Sequence, residues 1–260
     1  MTRAQRRKRK RRITIVLRCS ILIAVIILGK CLIVDPLLDT KPQASEKVRQ
    51  PAQQLDKEHY PEQLLDMLVR NEEMLDYVSD FPQKKGTISG NTVGEVQKGT
   101  FPLLLQWDKR WGYGEYGGSY IAINGCAPTA LSMVVAGLTG KNSVTPYKIA
   151  KYAEKKGYYV EGVGTSWELM TKGSKHYGVQ GTELGLSEDE IFHALEGGNP
   201  IICSMRPGDF TTEGHFIVLI GVKDGKIQVN DPNSRARSEK LWNYDKLKGQ
   251  IKNLWVFEEI

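Results

Sequence analysis

The sequence contains little cysteine and little histidine, with four residues of each among 260. A small secreted domain that depends on disulfides needs a dense cysteine framework, and this chain does not have one. The histidines are dispersed without the short spacing of metal ligands, and Cys126 and Cys203 are far apart in the chain. The composition therefore excludes a disulfide scaffold, and it predicts neither a metal site nor a bound cofactor.

A phosphate-binding loop and internal repeats are also missing from the sequence. The glycine-rich stretch "GYGEYGG" lacks the lysine and the strand-turn-helix context that a nucleotide site needs. This stretch is either the wall of a substrate cleft or a plain loop.

Positive charge is concentrated at the N-terminus, where eight basic residues occur in the first twelve positions without an acidic one. Subtracting these eight from the net charge of +6 leaves −2 for the rest of the chain. A broad basic surface for nucleic acid is therefore not expected. The eight residues are Arg3, Arg6, Arg7, Lys8, Arg9, Lys10, Arg11 and Arg12.

One long apolar run, "ITIVLRCSILIAVIILGKCLIV" at residues 13–34, follows the basic segment and contains only Arg18 and Lys30 as charged residues. It is long enough for a helix to cross a bilayer, which takes roughly 20 residues. We predict a transmembrane signal anchor with residues 1–12 in the cytoplasm, because positive charge resists translocation, and with the C-terminal part outside. A cleaved signal peptide is the alternative, but "LIVDPLL" offers no small-residue cleavage site.

The segment after the apolar run is polar and rich in proline. Residues 35–60 include Pro36, Pro42 and Pro51 and have little periodicity, which predicts a stalk or linker.

Residues 61–100 are predicted to form a helical N-terminal extension followed by a loop. Leucine, methionine and valine recur at helical intervals in "PEQLLDMLVRNEEMLDYVSDFP", from Pro61 at the first helical position to the residue before Pro82. One long helix or two short helices broken near Asn71 would fit this pattern. Either arrangement would pack on the domain that follows.

Residues 101–260 are predicted to form the main domain, in which helices precede strands. "FPLLLQW" is typical of a strand, and "CAPTALSMVVAGLTG" predicts an apolar helix that stops at Gly137 and Gly140. "TPYKIAKYAEKKG" predicts a second helix, and a third begins near Thr165. "LSEDEIFHALEGG" predicts a fourth helix.

The fourth predicted helix has a capping box made by Ser187 and Glu190. The strands that follow are "PIICSM", "GHFIVLIGV", "KIQVNDP" and "IKNLWVFEEI", with an Asp224-Gly225 hairpin turn between the second and third. We therefore predict an α+β domain whose helices pack on an antiparallel sheet.

The four cysteines have different predicted environments. Cys19 and Cys31 lie in the apolar run, where they are interpreted as small buried apolar residues. Cys203 lies in the apolar run "PIICSM" and is interpreted as an inert core thiol. Cys126 follows Gly125 and is expected at the cap of a helix beginning at Ala127 or Pro128, where the helix dipole favours a thiolate. From these residues alone, a nucleophile and a buried cysteine that seats the helix are equally good interpretations.

His215 is the best candidate for a base. It opens the strand "GHFIVLIGV", whereas His59 lies near the stalk and His176 and His193 lie in helical patterns. Asp231 closes the next strand, so a hairpin would bring it and His215 to the same end of the sheet. There a carboxylate orients the imidazole, although a turn residue is the other reading of Asp231.

A regular strand would point Asn230 to the opposite face from Asp231, which makes Asn230 the poorer orienter.

Five stretches in this order resemble the papain-like cysteine peptidases related to the double-glycine leader peptidases, in the subgroup of stand-alone bacterial surface or secreted proteins. The stretches are "QWDKRWGY", "GCAPTALSMVVAGLTG", "GTSWELM", "PIICSMRPGDFTTEGHFIVLIG" and "VNDPNS". The resemblance implies the papain-like fold over residues 101–260 and a catalytic triad of Cys126, His215 and Asp231. It also implies that Gln106 is the oxyanion glutamine, although it lies twenty residues before the cysteine.

The resemblance implies a cysteine peptidase or amidase, and the predicted signal anchor would hold this enzyme in the bacterial cell membrane with its main domain outside the cytoplasm. Its substrate would be a peptide or a cell-wall peptide cross-link, cleaved through a thioester on Cys126. Two alternatives share the cleft: an inactive binding module at the cell surface, and an acyl transferase that resolves the thioester with an amine.

Overall fold

The computed structural model of the chain describes residues 59–260. The predicted basic segment, signal anchor and almost all of the predicted stalk lie outside the described residues, as do Cys19 and Cys31. Across residues 59–260, none of the helices combines the length and the apolar character that crossing a bilayer requires.

The described residues contain helices and strands in a mixed order. The helices are α1 (Glu62–Arg70), α2 (Leu75–Lys84), α3 (Ile121–Asn124), α4 (Cys126–Thr139), α5 (Pro146–Lys156), α6 (Glu188–Glu196), α7 (Arg235–Ser238) and α8 (Tyr244–Lys248). The strands are β1 (Glu115–Tyr116), β2 (Ser119–Tyr120), β3 (Tyr159–Val160), β4 (Gly164–Thr165), β5 (Val179–Glu183), β6 (Ile201–Met205), β7 (His215–Lys223), β8 (Lys226–Asn230), β9 (Leu241–Trp242) and β10 (Ile251–Glu259).

The main sheet has six strands in the order β5-β10-β6-β7-β8-β9, and all its neighbours are antiparallel. The predicted α+β class and antiparallel sheet are therefore confirmed. The hairpin of β7 and β8 turns at Asp224 and Gly225, whose φ angles are 52° and 68°. Two successive positive φ values are the geometry for which Asp-Gly is favoured in a two-residue hairpin turn.

Each face of the sheet carries its own apolar core, as period-2 strands require. On one face, Ile202, Val218 and Trp255 pack with helix α4. This helix is buried from Ala127 to Gly137, which explains why its sequence is apolar on all sides. On the other face, the strands pack with helix α6. The buried residues of this second core include Ile191, Leu195, Ile201, Cys203, Ile217, Leu219 and Val229.

The N-terminal extension is two helices, α1 and α2, separated at Asn71 by a 3₁₀ turn over Glu72–Met74. Of the two arrangements that the sequence leaves open, the structure has the two short helices. The apolar side chains of the extension form a third core with Leu105, Trp107 and Tyr113 of the main domain. The extension therefore packs on the domain that follows, as predicted.

Several predicted boundaries were wrong. Pro61 is the N-cap of α1 instead of its first residue, and α2 continues through Pro82 to Lys84. Proline is tolerated in this last turn because it removes only one hydrogen bond. The helix still closes after it, since Lys85 N donates to Phe81 O at 2.9 Å. Ser187 is the N-cap of α6, but its side chain makes no capping hydrogen bond, so the predicted capping box with Glu190 is absent.

The helix α4 does not stop at Gly137. It continues to Thr139, and Gly140 ends it with a φ of 71°. Gly137 lies inside the helix because the ring of Phe101 packs against it: a Cβ there would lie 2.1 Å from Phe101 Cδ1. The glycine thus serves a close approach instead of a stop.

Two further predicted elements take another form. The stretch "FPLLLQW" is not a strand. Its backbone makes isolated hydrogen bonds in place of a ladder with a neighbouring strand, such as the one from Gln106 N to Pro232 O at 2.7 Å. The predicted third helix near Thr165 is a π-helical turn over Leu169–Gly173 followed by a 3₁₀ turn over Ser174–Tyr177.

Candidate active site

Cys126 is the first residue of α4 and not its N-cap as predicted, because the helix begins one residue earlier than expected. Gly125 is the N-cap, since its carbonyl accepts from Thr129 N at 3.0 Å. Its own N–H donates to Ile121 O at 2.8 Å, which closes the short helix α3 directly before the cysteine. A Cβ on Gly125 would lie 2.4 Å from Ile121 O, so only glycine fits between the two helices. The partly exposed Cys126 thiol therefore sits at a helix N-terminus, where the unpaired N–H groups favour an anion.

His215 lies between Cys126 and Asp231. Its Nε2 is 2.7 Å from Asp231 Oδ1, and His215 is 7% exposed while Asp231 is fully buried. Cys126 lies close enough to His215 to help raise the pKa of its ring. Because Nε2 faces Asp231, Nδ1 is the nitrogen that remains for the thiol. The three side chains thus lie in one row, with His215 between Cys126 and Asp231.

The hairpin explains why this row forms. The last paired residues of β7 and β8 at this end are Val218 and Asn230. His215 begins β7, and Asp231 directly follows the last residue of β8, so both lie beyond that pair at the same end of the hairpin. The predicted meeting of the two side chains therefore follows from the strand register.

Charge in this row favours a protonated imidazole. Burial alone would lower the pKa of His215, but the charge and hydrogen bond of Asp231, followed by the contact with Cys126, raise it to about 9. Burial would raise the pKa of Asp231, but His215 and then Arg237 outweigh that effect and hold this pKa below its usual range. The arrangement thus stabilises an imidazolium beside the thiol.

Arg237 is a site residue that the sequence analysis missed. Its Nε donates to Asp231 Oδ2, while Asn233 N donates to Asp231 Oδ1 at 2.8 Å. The second bond makes Asp231 a turn residue as well as the partner of His215, so both readings of Asp231 describe the same side chain. The only signal in the sequence was a cation six residues after the carboxylate in "NDPNSRAR".

The other candidates lie elsewhere. Asn230 donates to Phe101 O at 3.1 Å and does not contact the row. The ring of His176 stacks on Tyr152 with centroids 4.4 Å apart, and His193 is exposed on α6. Cys203 is a free thiol in the middle of β6, as expected. In the described part of the chain, no three His, Cys, Asp or Glu side chains are grouped so that they could hold a metal ion.

Gln106 is buried beside the helix that precedes the cysteine. Its Nε2 donates to Ala122 O at 2.7 Å, with Ile123 O at a longer 3.4 Å, and its Oε1 has no protein partner. The loop between Gln106 and Cys126 folds back, since Ala122 N donates to Gly112 O at 3.1 Å. Gln106 therefore lies within one short helix of Cys126 despite its distance in the sequence.

The glycine- and tyrosine-rich stretch also folds toward the cysteine. Tyr116 is fully buried, and burial is the main cause of the raised pKa of Tyr116. The proximity of Cys126 adds to this rise. Its hydroxyl is 2.7 Å from Thr165 Oγ1, and Gly117 packs so tightly on Tyr159 that a Cβ would lie 2.1 Å from that ring. The stretch therefore forms packed structure next to Cys126.

Comparison with protein families gives one match, the Peptidase_C39 like family, over residues 98–258. This segment includes Gln106, Cys126, His215 and Asp231, and it excludes α1 and α2. No curated protein sequence matches the chain.

Similar solved structures include the peptidase domain of Streptococcus ComA, a bi-functional ABC transporter involved in a quorum sensing pathway. It is 17% identical with a TM-score of 0.44, covering 62% of this chain and 100% of that one. A C39-like peptidase from Bacillus anthracis is 19% identical with a TM-score of 0.38, covering 62% and 96%. A double glycine motif protease from the AMS/PCAT transporter, solved with a leader peptide, is 16% identical with a TM-score of 0.36, covering 64% and 98%.

Proposed function

The chain belongs to the Peptidase_C39 like family, and from that membership we propose that it is a cysteine peptidase with Cys126 as nucleophile, His215 as base and Asp231 as the residue that orients His215. The observation that carries this proposal is the position of His215, which is hydrogen-bonded to Asp231 and lies beside Cys126. A thiol at a helix N-terminus beside an imidazolium is the arrangement that generates a reactive thiolate.

The proposed reaction has two stages. The Cys126 thiolate attacks the carbonyl carbon of the scissile amide, and imidazolium His215 gives its proton to the leaving amine as the carbon–nitrogen bond breaks. A water molecule then attacks the resulting thioester while His215 takes its proton, which releases a carboxylic acid and regenerates the thiolate.

Asp231 supports both stages by holding His215. Its carboxylate accepts a hydrogen bond from the Nε2–H of His215, which fixes the ring with Nδ1 toward the thiol. Its negative charge also keeps the imidazolium populated at neutral pH, and the imidazolium in turn stabilises the thiolate.

The proposed oxyanion donors are the backbone N–H of Cys126 and the amide of Gln106. The N–H of Cys126 belongs to the first turn of α4, where backbone donors have no partner within the helix. Gln106 Nε2 carries two hydrogens and gives one to Ala122 O at 2.7 Å. The second faces Ile123 O at a longer 3.4 Å, and we propose that it exchanges this weak contact for a developing oxyanion, where one such donor contributes about 10² to 10³ in rate.

We further propose that the enzyme acts outside the cytoplasm, held by a signal anchor at residues 13–34, with residues 35–60 as a stalk. The apolar run that follows eight cations supports this orientation. The proposed substrates are peptides or the peptide cross-links of the cell wall.

A peptide library tests the proposal. The full-length chain is incubated with mixed peptides and with isolated cell-wall cross-link peptides, and the products are read by mass spectrometry. We expect cleavage by the wild type and by Cys203→Ala but not by Cys126→Ala. Equal products from the wild type and Cys126→Ala would contradict the proposal. Products that carry an added amine in place of water would identify a transferase.

A further inference from the structure

Asp231 stands at the start of a loop that the N-terminal extension contacts. We name residues 231–238 the acid loop; it contains Asp231 and the one-turn helix α7. We propose that Glu73, in the 3₁₀ turn between α1 and α2, is a positioning residue that fixes the acid loop and thereby Asp231. This inference rests on the proposed function of Asp231, and it concerns a residue outside the family segment of residues 98–258.

Glu73 caps the helix of the acid loop from outside. Its Oε1 accepts from Ser234 Oγ at 2.6 Å and from Ala236 N at 3.3 Å, and its Oε2 accepts from Arg235 N at 2.9 Å. The next backbone donor, Arg237 N, bonds to Ser234 Oγ at 3.2 Å. A helix of one turn cannot satisfy these N–H groups itself, so Glu73 and Ser234 supply their acceptors.

The capped helix holds Asp231 at two points. Arg237 on α7 donates to Asp231 Oδ2, the oxygen that His215 does not use. Ser238, the last residue of α7, accepts from Asp231 N at 2.9 Å and donates to Ser234 O at 2.7 Å. Movement of α7 would therefore displace both the backbone and the carboxylate of Asp231.

Asn71 provides a second link from the extension. Its Nδ2 donates to Asn233 O, and its Oδ1 accepts from Glu73 N at 3.2 Å. Asn233 N in turn donates to Asp231 Oδ1 at 2.8 Å. The break between α1 and α2, which looks like an interruption of one amphipathic helix, thus presents Asn71 and Glu73 to the acid loop.

Loss of the Glu73 carboxylate is expected to change how His215 titrates. The charged or titratable groups that face His215 are Cys126 from α4 and Asp231 from the acid loop, and Arg237 faces the far side of Asp231. A displaced Asp231 supports the imidazolium less well, so the thiolate forms at higher pH.

The test uses three variants of the full-length chain: Glu73→Ala, Glu73→Gln and the matched control Asp66→Asn, which removes an exposed carboxylate from α1. Iodoacetamide alkylation of Cys126 is followed from pH 5 to 10. We expect Glu73→Ala to slow alkylation near neutral pH by about 10-fold, because a thiol of ordinary pKa, about 8.5, is only a few per cent ionised at pH 7. The loss should disappear above the ordinary thiol pKa of about 8.5, where the thiol ionises unaided.

The pH dependence separates positioning from a general loss of structure. A general loss of structure would change the alkylation rate above pH 8.5 as well as near neutral pH, and it would also appear as a lower Tm. Glu73→Gln keeps one acceptor oxygen and should give an intermediate rate, and Asp66→Asn should match the wild type. Amide hydrogen exchange at Arg235 and Ala236 should become faster only in the Glu73 variants.

Wild-type alkylation rates in Glu73→Ala over the whole pH range would overturn the inference. If Glu73→Ala does not fold, a wild-type profile in Glu73→Gln overturns it instead. Failure of the proposed function is a separate result: wild-type Cys126 would then react no faster than free cysteine, whatever residue stands at position 73.

Discussion

Cys126 and Cys203 are the same residue type in opposite environments. Cys126 is partly exposed at the start of α4 beside His215. Cys203 is fully buried in the middle of β6, where burial raises the pKa of its thiol. It stands between Leu254 of β10 and Ile217 of β7 in the sheet, and burial alone accounts for the raised pKa. The position of each cysteine in the fold, and not the presence of a thiol alone, therefore decides which one is a candidate nucleophile.

The largest expected effect comes from removing the base. His215→Ala should lower kcat/KM for peptide cleavage by about 10² to 10⁴, the usual contribution of a general acid–base, and should slow alkylation of Cys126 near neutral pH. Cys203 should stay unlabelled in the variant as in the wild type. The distinction between the two cysteines would break if Cys126 kept its wild-type alkylation rate without His215.

A slightly smaller effect is expected at Gln106. Gln106→Ala should lower kcat by about 10² to 10³, because one oxyanion donor is lost. Alkylation by iodoacetamide forms no oxyanion, so the alkylation rate of Cys126 should stay near that of the wild type. Equal losses in cleavage and alkylation would show that Gln106 supports the position of the thiol instead.

The His215–Asp231 pair should make folding stability depend on pH. The pKa of folded His215 is about 9, above its ordinary value of 6.5. The stabilisation is therefore complete below pH 6.5 and is lost as the pH rises through 9, by an amount on the order of 3 kcal/mol. The lowered pKa of Asp231 has the opposite sign, and its contribution is lost as the pH falls through the acidic range.

Urea unfolding between pH 6 and pH 10 measures this loss. Cys203 and buried tyrosines also titrate at high pH, so the quantity compared is the change in unfolding free energy in the wild type minus that in His215→Ala. The same pH dependence in both proteins would contradict the assignment of the raised pKa to His215.

The smallest effect is expected at Cys203. Cys203→Ser places a hydroxyl in an apolar core, which should lower the free energy of unfolding by about 1 to 3 kcal/mol. Cleavage by the folded protein and alkylation of Cys126 should be unchanged. A loss of kcat in Cys203→Ser that exceeds its loss of folded protein would mean that the two thiols are coupled.

The sequence predicts the hairpin beside His215 and Asp231 because β7 is an apolar run, β8 alternates apolar and polar residues, and an Asp-Gly turn joins them. Strand β5, "VQGTE", escapes prediction since it is polar and contains Gly181. It forms by pairing with β10, and Gly181 allows Phe257 and Met170 to approach: a Cβ there would lie 2.4 Å from Met170 O.

In the candidate site, too, some residues can be predicted from the sequence and others cannot. Cys126 and His215 stand at the beginnings of regular elements, so local signals mark them. Arg237 reaches Asp231 only because the acid loop folds back on itself, and Glu73, which contacts that loop, lies 161 residues before Ser234. Neither periodicity nor a local motif encodes such a pairing, so only the folded chain reveals it.

The proposed function requires that Cys126 is an activated thiol and that Cys203 is not. The most direct measurement is alkylation of the native full-length chain by iodoacetamide at pH 7, with each cysteine-containing peptide quantified by mass spectrometry. We expect Cys126 to be alkylated faster than free cysteine and Cys203 to be alkylated only after unfolding. Alkylation of Cys126 no faster than that of free cysteine would contradict it.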